Sequence, residues 1–380
     1  MRILITGMST RALAQSARAA GFEPVTLDYY GDYDQKSWCE NYSLMRDFGL
    51  PYEPARLFEA SRKLSYDAVA YTASLENHPE IVAAMAAPPA ELLGNSPDVL
   101  VRVRQWPAFF DFLQRHGLPG PRTVPVGFMP PPDSGVRWLR KPVRSGGGHG
   151  ITFWDGRRAG ASWFLQEYVA GPACSAVFLA NGEDALLLGL SEQLIGRPEF
   201  GAAGFIYCGN IHPLALEDER ARPELASRVQ ELVASLAHEF RLAGLNGVDF
   251  ILHDGRICPL EVNPRYSASM ELVEQALGAP LFGWHVRAVR EGSLPDRVPS
   301  RPGAAAPAFY GKAILFAERD CRAPDTRDWQ ERGIRDIPFP DEEITQGDPV
   351  CTILADGPTA SSCYMNLVRR ARELKGELYA

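Results

Sequence analysis

The sequence predicts a mixed α/β and α+β protein of several lobes, and three observations carry that expectation. Short strand-like and helix-like segments alternate over the first 94 or so residues, the pattern of a parallel sheet wound with helices. A glycine run at residues 146–150 lies between further strand-like segments. Two apolar runs then flank His253-Asp254-Gly255-Arg256, the signature of a hairpin in an antiparallel sheet. With 380 residues, the chain is long enough for two or three domains around real cores.

Residues 3–6 form the first expected strand, leading through Gly7-Met8-Ser9-Thr10 into an alanine-rich helix, and residues 21–28 give a second strand. This is a βαβ start, doubly wound in style, without the GxGxxG fingerprint of a dinucleotide site. Residues 67–72 read as another strand, followed by Ala73-Ser74-Leu75-Glu76-Asn77-His78-Pro79. Ligands of such sheets bind beyond the carboxyl ends of the strands. Glu76, beside Asn77 and ahead of a helix-opening Pro79, is therefore a candidate to receive a substrate ammonium group. The alternative is an acid placed at a helix start to meet the helix dipole.

Pro130-Pro131-Pro132-Asp133 is a turn or linker. Val136-Arg137-Trp138-Leu139-Arg140 is strand-like and ends at Lys141, one of five lysines in the chain. Pro142-Val143-Arg144-Ser145-Gly146-Gly147-Gly148-His149-Gly150 follows. Successive glycines let backbone N–H groups converge on phosphate oxygens without Cβ clashes. The lysine precedes the glycines, so this is not the GxxxxGK[ST] loop. A glycine-rich hairpin closing over a nucleotide fits, with a flexible linker as the alternative, and His149 reads as a loop residue. Trp163-Phe164-Leu165-Gln166-Glu167-Tyr168-Val169 is a strand whose polar end can meet an adenine edge. Residues 193–196 and 205–211 are further strands. Gln193 and Tyr207 are candidates for facing a cleft, Tyr207 more readily a core residue.

The most informative stretch is Gly247-Val248-Asp249-Phe250 with Leu260-Glu261-Val262-Asn263-Pro264-Arg265. Val248, Phe250, Leu252, Cys258, Leu260 and Val262 fall on even numbers; Asp249, Glu261 and Asn263 are odd. A three-residue loop with Gly255 at positive φ pairs odd with odd. It sends the even set to the core and the three oxygen-bearing side chains to the other face, with Ile251 and Ile257 near the turn. A two-residue Asp-Gly turn would put Asp249 on the wrong face. Hard oxygen donors grouped this way suit Mg²⁺ held between protein and phosphates, and Arg265 suits a phosphoryl group in transit. Ser267-Ala268-Ser269-Met270-Glu271 should border the substrate end; Glu271 and Ser267 are candidate substrate contacts, with a helix-start acid as the other reading of Glu271. After Pro302 the chain becomes loop-rich, with strands at residues 312–317 and 350–355, turns at 335–338 and 346–349, and a basic helix at 365–374.

Taken in order, Arg140-Lys141-Pro142, the 145–150 loop, Gln166-Glu167-Tyr168-Val169 with Gly171, Gly247-Val248-Asp249-Phe250 and Glu261-Val262-Asn263-Pro264-Arg265 resemble the ATP-grasp family of carboxylate–amine ligases. The resemblance covers roughly residues 100–290. It implies an N-terminal α/β lobe (1–95), an ATP-grasp domain (96–300, with lobes of about 96–162 and 163–300 enclosing ATP) and a small β-rich C-terminal module (301–380). By the same resemblance, Lys141 touches the α/β phosphates under a loop of Ser145, Gly146, Gly147 and Gly148. Gln166, Glu167 and the backbone of Tyr168 and Val169 hold adenine. Asp249, Glu261 and Asn263 bind Mg²⁺ (or Mn²⁺), and Arg265 faces the γ-phosphate. Lys141 and Arg265 are the catalytic pair.

Two departures stand out. The family often carries a lysine before the first lobe, where this chain offers only Arg102 and Arg104, Arg104 being the candidate ATP contact. The family also often has an acid after the hinge glycine, where this chain reads Gly171-Pro172-Ala173-Cys174-Ser175. Within the family, residues 75–79 and 263–269 most resemble the subgroup containing tyramine–glutamate ligase of methanofuran biosynthesis. The resemblance thus implies an ADP-forming ligase joining glutamate to a tyrosine- or tyramine-like amine, with a role in methylofuran synthesis. Other amino-acid or dipeptide ligases, and an ATP-binding regulator without ligation, stay open. An oxidoreductase using the N-terminal sheet is disfavoured.

Composition narrows the setting. Apolar content of 46% and charged content of 23% are ordinary for a globular protein. A net charge of −8 argues against nucleic acid or an anionic membrane as the main partner; the partners expected are small-molecule amino acid and amine substrates. A homodimer is left open. Seven scattered cysteines without a CxxC read as reduced thiols of a cytoplasmic protein. The chain starts directly on a strand, with no signal peptide expected, and no apolar run approaches the ~20 residues of a membrane span.

Overall fold

The computed structural model describes residues 1–130, 135–157, 160, 162–298 and 309–380. Most of the expected turn at 130–133 and the lobe boundary near residue 300 lie outside the described residues. The N-terminal lobe comprises β1 (Arg2–Gly7), α1 (Arg11–Ala19), β2 (Glu23–Asp28), β3 (Glu40–Ser43), α2 (Leu44–Phe48), α3 (Pro54–Ser61), β4 (Ala68–Tyr71), α4 (Pro79–Met85) and β5 (Glu91–Leu92). Its sheet runs β3-β2-β1-β4-β5, parallel throughout. The strand order reverses between β1 and β4, so ligands belong at the carboxyl ends of those strands. A short 3₁₀ turn, Leu75–Asn77, sits at that end of β4, and Pro79 opens α4.

Two helices, α5 (Pro97–Val103) and α6 (Trp106–Arg115), lead into a first lobe of β6 (Thr123–Val124), β7 (Trp138–Pro142), β8 (Thr152–Phe153) and β9 (Trp163–Glu167). These form a four-stranded antiparallel sheet ordered β6-β9-β7-β8. β9, read from sequence as the opening of the second lobe, closes the first instead. The lobe's own core is small, built on Trp138 and Leu165.

The second lobe contains β10 (Ala173–Asn181), β11 (Ala185–Ile195), β12 (Tyr207–His212), α7 (Arg222–Phe240), β13 (Ala243–His253), β14 (Arg256–Asn263), α8 (Met270–Leu277) and α9 (Phe282–Glu291). The C-terminal segment adds β15 (Phe309–Phe316), β16 (Cys321–Arg322), β17 (Ile334–Arg335), β18 (Glu343–Ile344), β19 (Pro349–Gly357) and α10 (Ala360–Leu378). Its strands do not stand apart. β15 pairs with β12, so one eight-stranded antiparallel sheet runs β14-β13-β10-β11-β12-β15-β19-β17. One face of this sheet packs under α7, and Leu179 and Leu245 share a core with Ile3, Ile5 and Phe282 of the N-terminal lobe and α9. No described helix is long and apolar enough to cross a membrane.

The hairpin of β13 and β14 corrects one expectation about its turn. Asp254 and Gly255 both have positive φ, 48° and 71°, and His253 pairs with Arg256. This is the two-residue Asp-Gly turn, whose handedness matches strand twist. Phe250 pairs with Pro259, yet Asp249 pairs with Glu261. The extra residue between them is Leu260, a β-bulge that resets the parity. Asp249 and Glu261 therefore share a face after all. Near the turn, Ile257 goes to the core, and Leu260, expected there, turns to the cleft.

Candidate active site

A cleft of about 240 Å³ opens between the two lobes. Lys141, Ser145, Gly146, Gly147, Gly148, Gln166, Glu167, Tyr168 and Val169 line it from the first lobe and hinge. Asp249, Glu261, Asn263, Arg265 and Ser267 line it from the second, with Arg104 and Glu76 at its inner end. Asn77 and Glu271 are not among the lining residues.

The glycine loop is laid across the second lobe. Gly147, Gly148 and Gly150 have φ of 61°, 78° and 77°, values that favour glycine. The Tyr207 N–H donates to the Gly147 carbonyl at 2.9 Å. A Cβ on Gly148 would lie 1.8 Å from the Phe205 carbonyl oxygen, so only glycine allows this approach. Phe205 also meets Phe153 and Tyr168 edge-on, with ring centroids 5.3 and 6.4 Å away.

At the strand ends, Lys141 Nζ donates to Gln166 Oε1 at 2.9 Å, and burial lowers the Lys141 pKa. The Glu167 carboxylate accepts from the Arg122 backbone N–H and side chain at 3.0 and 3.2 Å. The Tyr168 N–H donates to the Arg137 carbonyl.

The acidic end is compact. Asp249 accepts from Gln193 Nε2 at 3.0 Å and from Asn263 Nδ2 at 2.9 Å. Burial, and then the Glu261 carboxylate, push Asp249 up to about 7. Glu261, half-buried, is drawn below the ordinary carboxylate range by Arg104 and Lys141 against the effect of desolvation. Two carboxylates on facing strands with an amide beside them form an oxygen-donor set that fits a divalent ion of the Mg²⁺ type. Among the described residues no group of three or more His, Cys, Asp or Glu could hold a metal. Such an ion would rest on two carboxylates, one amide oxygen, and oxygens from outside the protein.

Arg265 is held from two sides. Its Nε donates to Glu76 Oε1 at 2.8 Å and its Nη2 to Asn263 Oδ1 at 3.2 Å. Arg104 Nη1 lies 3.3 Å from Glu261 Oε2, and its Nε donates to Asn77 Oδ1 at 3.1 Å. Arg102 instead reaches the Phe240 carbonyl, outside the cleft. Glu76 is buried, and its second oxygen, Oε2, has no hydrogen-bond partner.

Glu271 is the clearest departure from the sequence reading. It does sit in the first turn of α8, but its carboxylate faces away from the cleft. Arg11 donates to it at 2.6 Å and Lys312 at 2.7 Å, and the two cations hold it well below its ordinary value against the effect of burial. Arg11 also pairs with Asp336 at 2.7 Å. These four groups join the N-terminal lobe, α8 and the C-terminal strands. A candidate substrate contact is thus a charge already satisfied by protein.

Some cleft residues escaped the sequence reading. Tyr207, taken mainly as core, lines the cleft, and its hydroxyl donates to Asn210 Oδ1. Ser175 lies directly across from Asp249 on β10, and its hydroxyl is 3.3 Å from that of Ser269. Strand alternation could have placed Asn210; Ser175 needed the register of β10 on β13.

Comparisons with known proteins agree with this geometry. Residues 107–269 match the family model of the ATP-grasp domain. The chain is 22% identical over 376 residues to the uncharacterized protein MJ0776 of Methanocaldococcus jannaschii, covering 93% of this chain and 88% of that one. The biotin carboxylase of Campylobacter jejuni in its β-γ-ATP complex superposes with a TM-score of 0.73 at 13% identity, over 99% of this chain and 91% of that one. The biotin carboxylase domain dimer of Hydrogenobacter thermophilus 2-oxoglutarate carboxylase, in complex with MgADP and bicarbonate, gives 0.68 at 14% identity, over 98% and 89%. The fold is the ATP-grasp fold.

Proposed function

From that fold, we propose that the chain is an ATP- and Mg²⁺-dependent ligase that joins a carboxylate to an amine through an acyl phosphate. The carboxylate is glutamate and the amine tyrosine- or tyramine-like, the product serving methylofuran synthesis in the cytoplasm. One observation supports this above the others: Asp249 and Glu261 face each other across the bulged hairpin, with Arg104, Lys141 and Arg265 around them. Fixed cations beside an acid pair are what phosphoryl transfer requires, because positioning and charge neutralisation do most of the work.

The carboxylate oxygen of the first substrate attacks the γ-phosphorus and ADP leaves. The amine then attacks the acyl carbon and phosphate leaves, giving an amide. Lys141 and the glycine loop hold the phosphates. Gln166, Glu167 and the backbone of Tyr168 and Val169 hold the base. Arg265 steadies the transferred group, and the closed loop excludes water that would hydrolyse the acyl phosphate. Asp249, Glu261 and Asn263 would hold Mg²⁺, which when bound would supply neutralisation of the phosphate charge. The unpartnered Glu76 Oε2 receives the ammonium group of a substrate, with Ser267 beside it.

The test is ADP release over amino acids and aromatic amines, with mass analysis of the product. Glu261→Gln should reduce release more than about 100-fold with the fold intact; undiminished release would refute the metal assignment. Glu76→Gln keeps an acceptor for Arg265 but loses the charge, and should raise the KM of the amine or amino acid while leaving that of ATP nearly unchanged. Equal shifts in both would remove Glu76 from the substrate site. Nucleotide binding without ADP release for any pair would mark a regulator instead.

A further inference from the structure

The Leu75–Asn77 turn belongs to the N-terminal lobe, yet two consecutive side chains from it reach the two cleft arginines. Glu76 Oε1 accepts from Arg265 Nε at 2.8 Å, and Asn77 Oδ1 accepts from Arg104 Nε at 3.1 Å. Glu76 is 2% exposed and Asn77 8%, so neither bond competes with bulk water. The arginines come from different parts of the chain. Arg104 follows α5, and Arg265 follows β14. Each touches a different member of the acid–amide group, Arg104 meeting Glu261 at 3.3 Å and Arg265 meeting Asn263 at 3.2 Å.

Resting on the nucleotide-site reading above, we infer that Glu76 and Asn77 are positioning residues: one buried turn fixes the spacing of two cations on either side of the acid pair. A free arginine side chain has four rotatable bonds, and its planar guanidinium aids catalysis or binding only when its donors are aimed. Holding each Nε from behind fixes the plane of the guanidinium: Arg104 Nη1 reaches Glu261 and Arg265 Nη2 reaches Asn263, and the terminal N–H groups not engaged in protein bonds are the donors left for a phosphate oxygen. The ordering is complete before the ligand arrives, which is how preorganisation strengthens binding. It also gives the N-terminal lobe a part in nucleotide recognition although Asn77 itself does not line the cleft. Asn77 acts through Arg104, and no contact of its own with nucleotide is implied.

The test is a double-mutant cycle read by calorimetric titration of Mg²⁺–AMP-PNP. Asn77→Ala should weaken AMP-PNP binding about 10-fold, and Arg104→Ala by at least as much. In the Arg104→Ala background, adding Asn77→Ala should change affinity less than about twofold, because the group it positions is gone. Asn77→Asp, which keeps the acceptor, should restore most of the binding. A thermal midpoint near that of the natural protein separates these effects from misfolding. Losses that multiply, or an Asn77→Ala protein that binds as the natural one does, would overturn the inference. Should the natural protein bind neither AMP-PNP nor ADP, the nucleotide-site reading fails instead.

Discussion

Replacing Gly148 by alanine should unlatch the glycine loop, and the size of the effect follows from two local terms. Gly148 has a φ of 78°, where an L-residue costs about 1–2 kcal/mol. Its new Cβ would stand 1.8 Å from the backbone oxygen of Phe205, which cannot rotate away as a side chain would. The loop must lift, and the bond from the Tyr207 N–H to the Gly147 carbonyl is lost, about 1 kcal/mol more. The closed arrangement is then disfavoured by about 2–3 kcal/mol, or roughly 30- to 150-fold in the opening equilibrium. Hydrogen–deuterium exchange at the peptide carrying Tyr207 reads this directly without any ligand. Gly146→Ala is the control: a Cβ there meets nothing within 4 Å, and exchange should accelerate less than about threefold. If the Tyr207 amide is as protected in Gly148→Ala as in Gly146→Ala, the latch reasoning is wrong.

Two further predictions concern stability. Glu271→Leu leaves Lys312 and part of Arg11 buried without a counter-charge, a loss of about 3–5 kcal/mol; thermal unfolding should begin several degrees lower with native circular dichroism below it, and an unchanged midpoint would contradict the assigned network. Asp34 lies at the seam with Asp28, Asp32, Asp336 and Arg11, and burial raises it from 3.8 to about 6. A carboxyl raised in the fold contributes stability below its unfolded pKa and loses it as pH climbs through about 6. The midpoint of the natural protein should therefore fall between pH 5 and 8, and Asp34→Asn, which keeps an oxygen for the Ile337 N–H, should flatten that fall by about 1–1.5 kcal/mol; parallel profiles would refute the assignment.

The local chemistry of the cleft was written in residue order, and its limits were geometric. Lys141 before a glycine run, and odd-numbered Asp249, Glu261 and Asn263 in an even-numbered apolar pattern, pointed to one face, and one face lines the cleft. The route to it differed. An Asp-Gly pair sets its own turn through left-handed backbone at both residues, and the missing residue was absorbed by the bulge at Leu260, which no periodicity reveals. Glu271 shows the harder limit. Its local sequence is that of any first-turn acid, and its partners Arg11 and Lys312 are 260 and 41 residues away. Long-range pairing of this sort leaves no mark on neighbouring residues. The same holds for Asn77, whose bond to Arg104 needs the N-terminal lobe docked before it exists.

The shared sheet has a practical consequence. Cutting the chain ahead of β15 would not release a tidy fragment, because β12 would lose its neighbour and bare a row of unpaired amides and carbonyls, an invitation to aggregation. That raw rim would run over Gly209–His212, just beyond Tyr207, whose amide anchors the loop over the cleft, so shortened versions should lose loop order along with solubility.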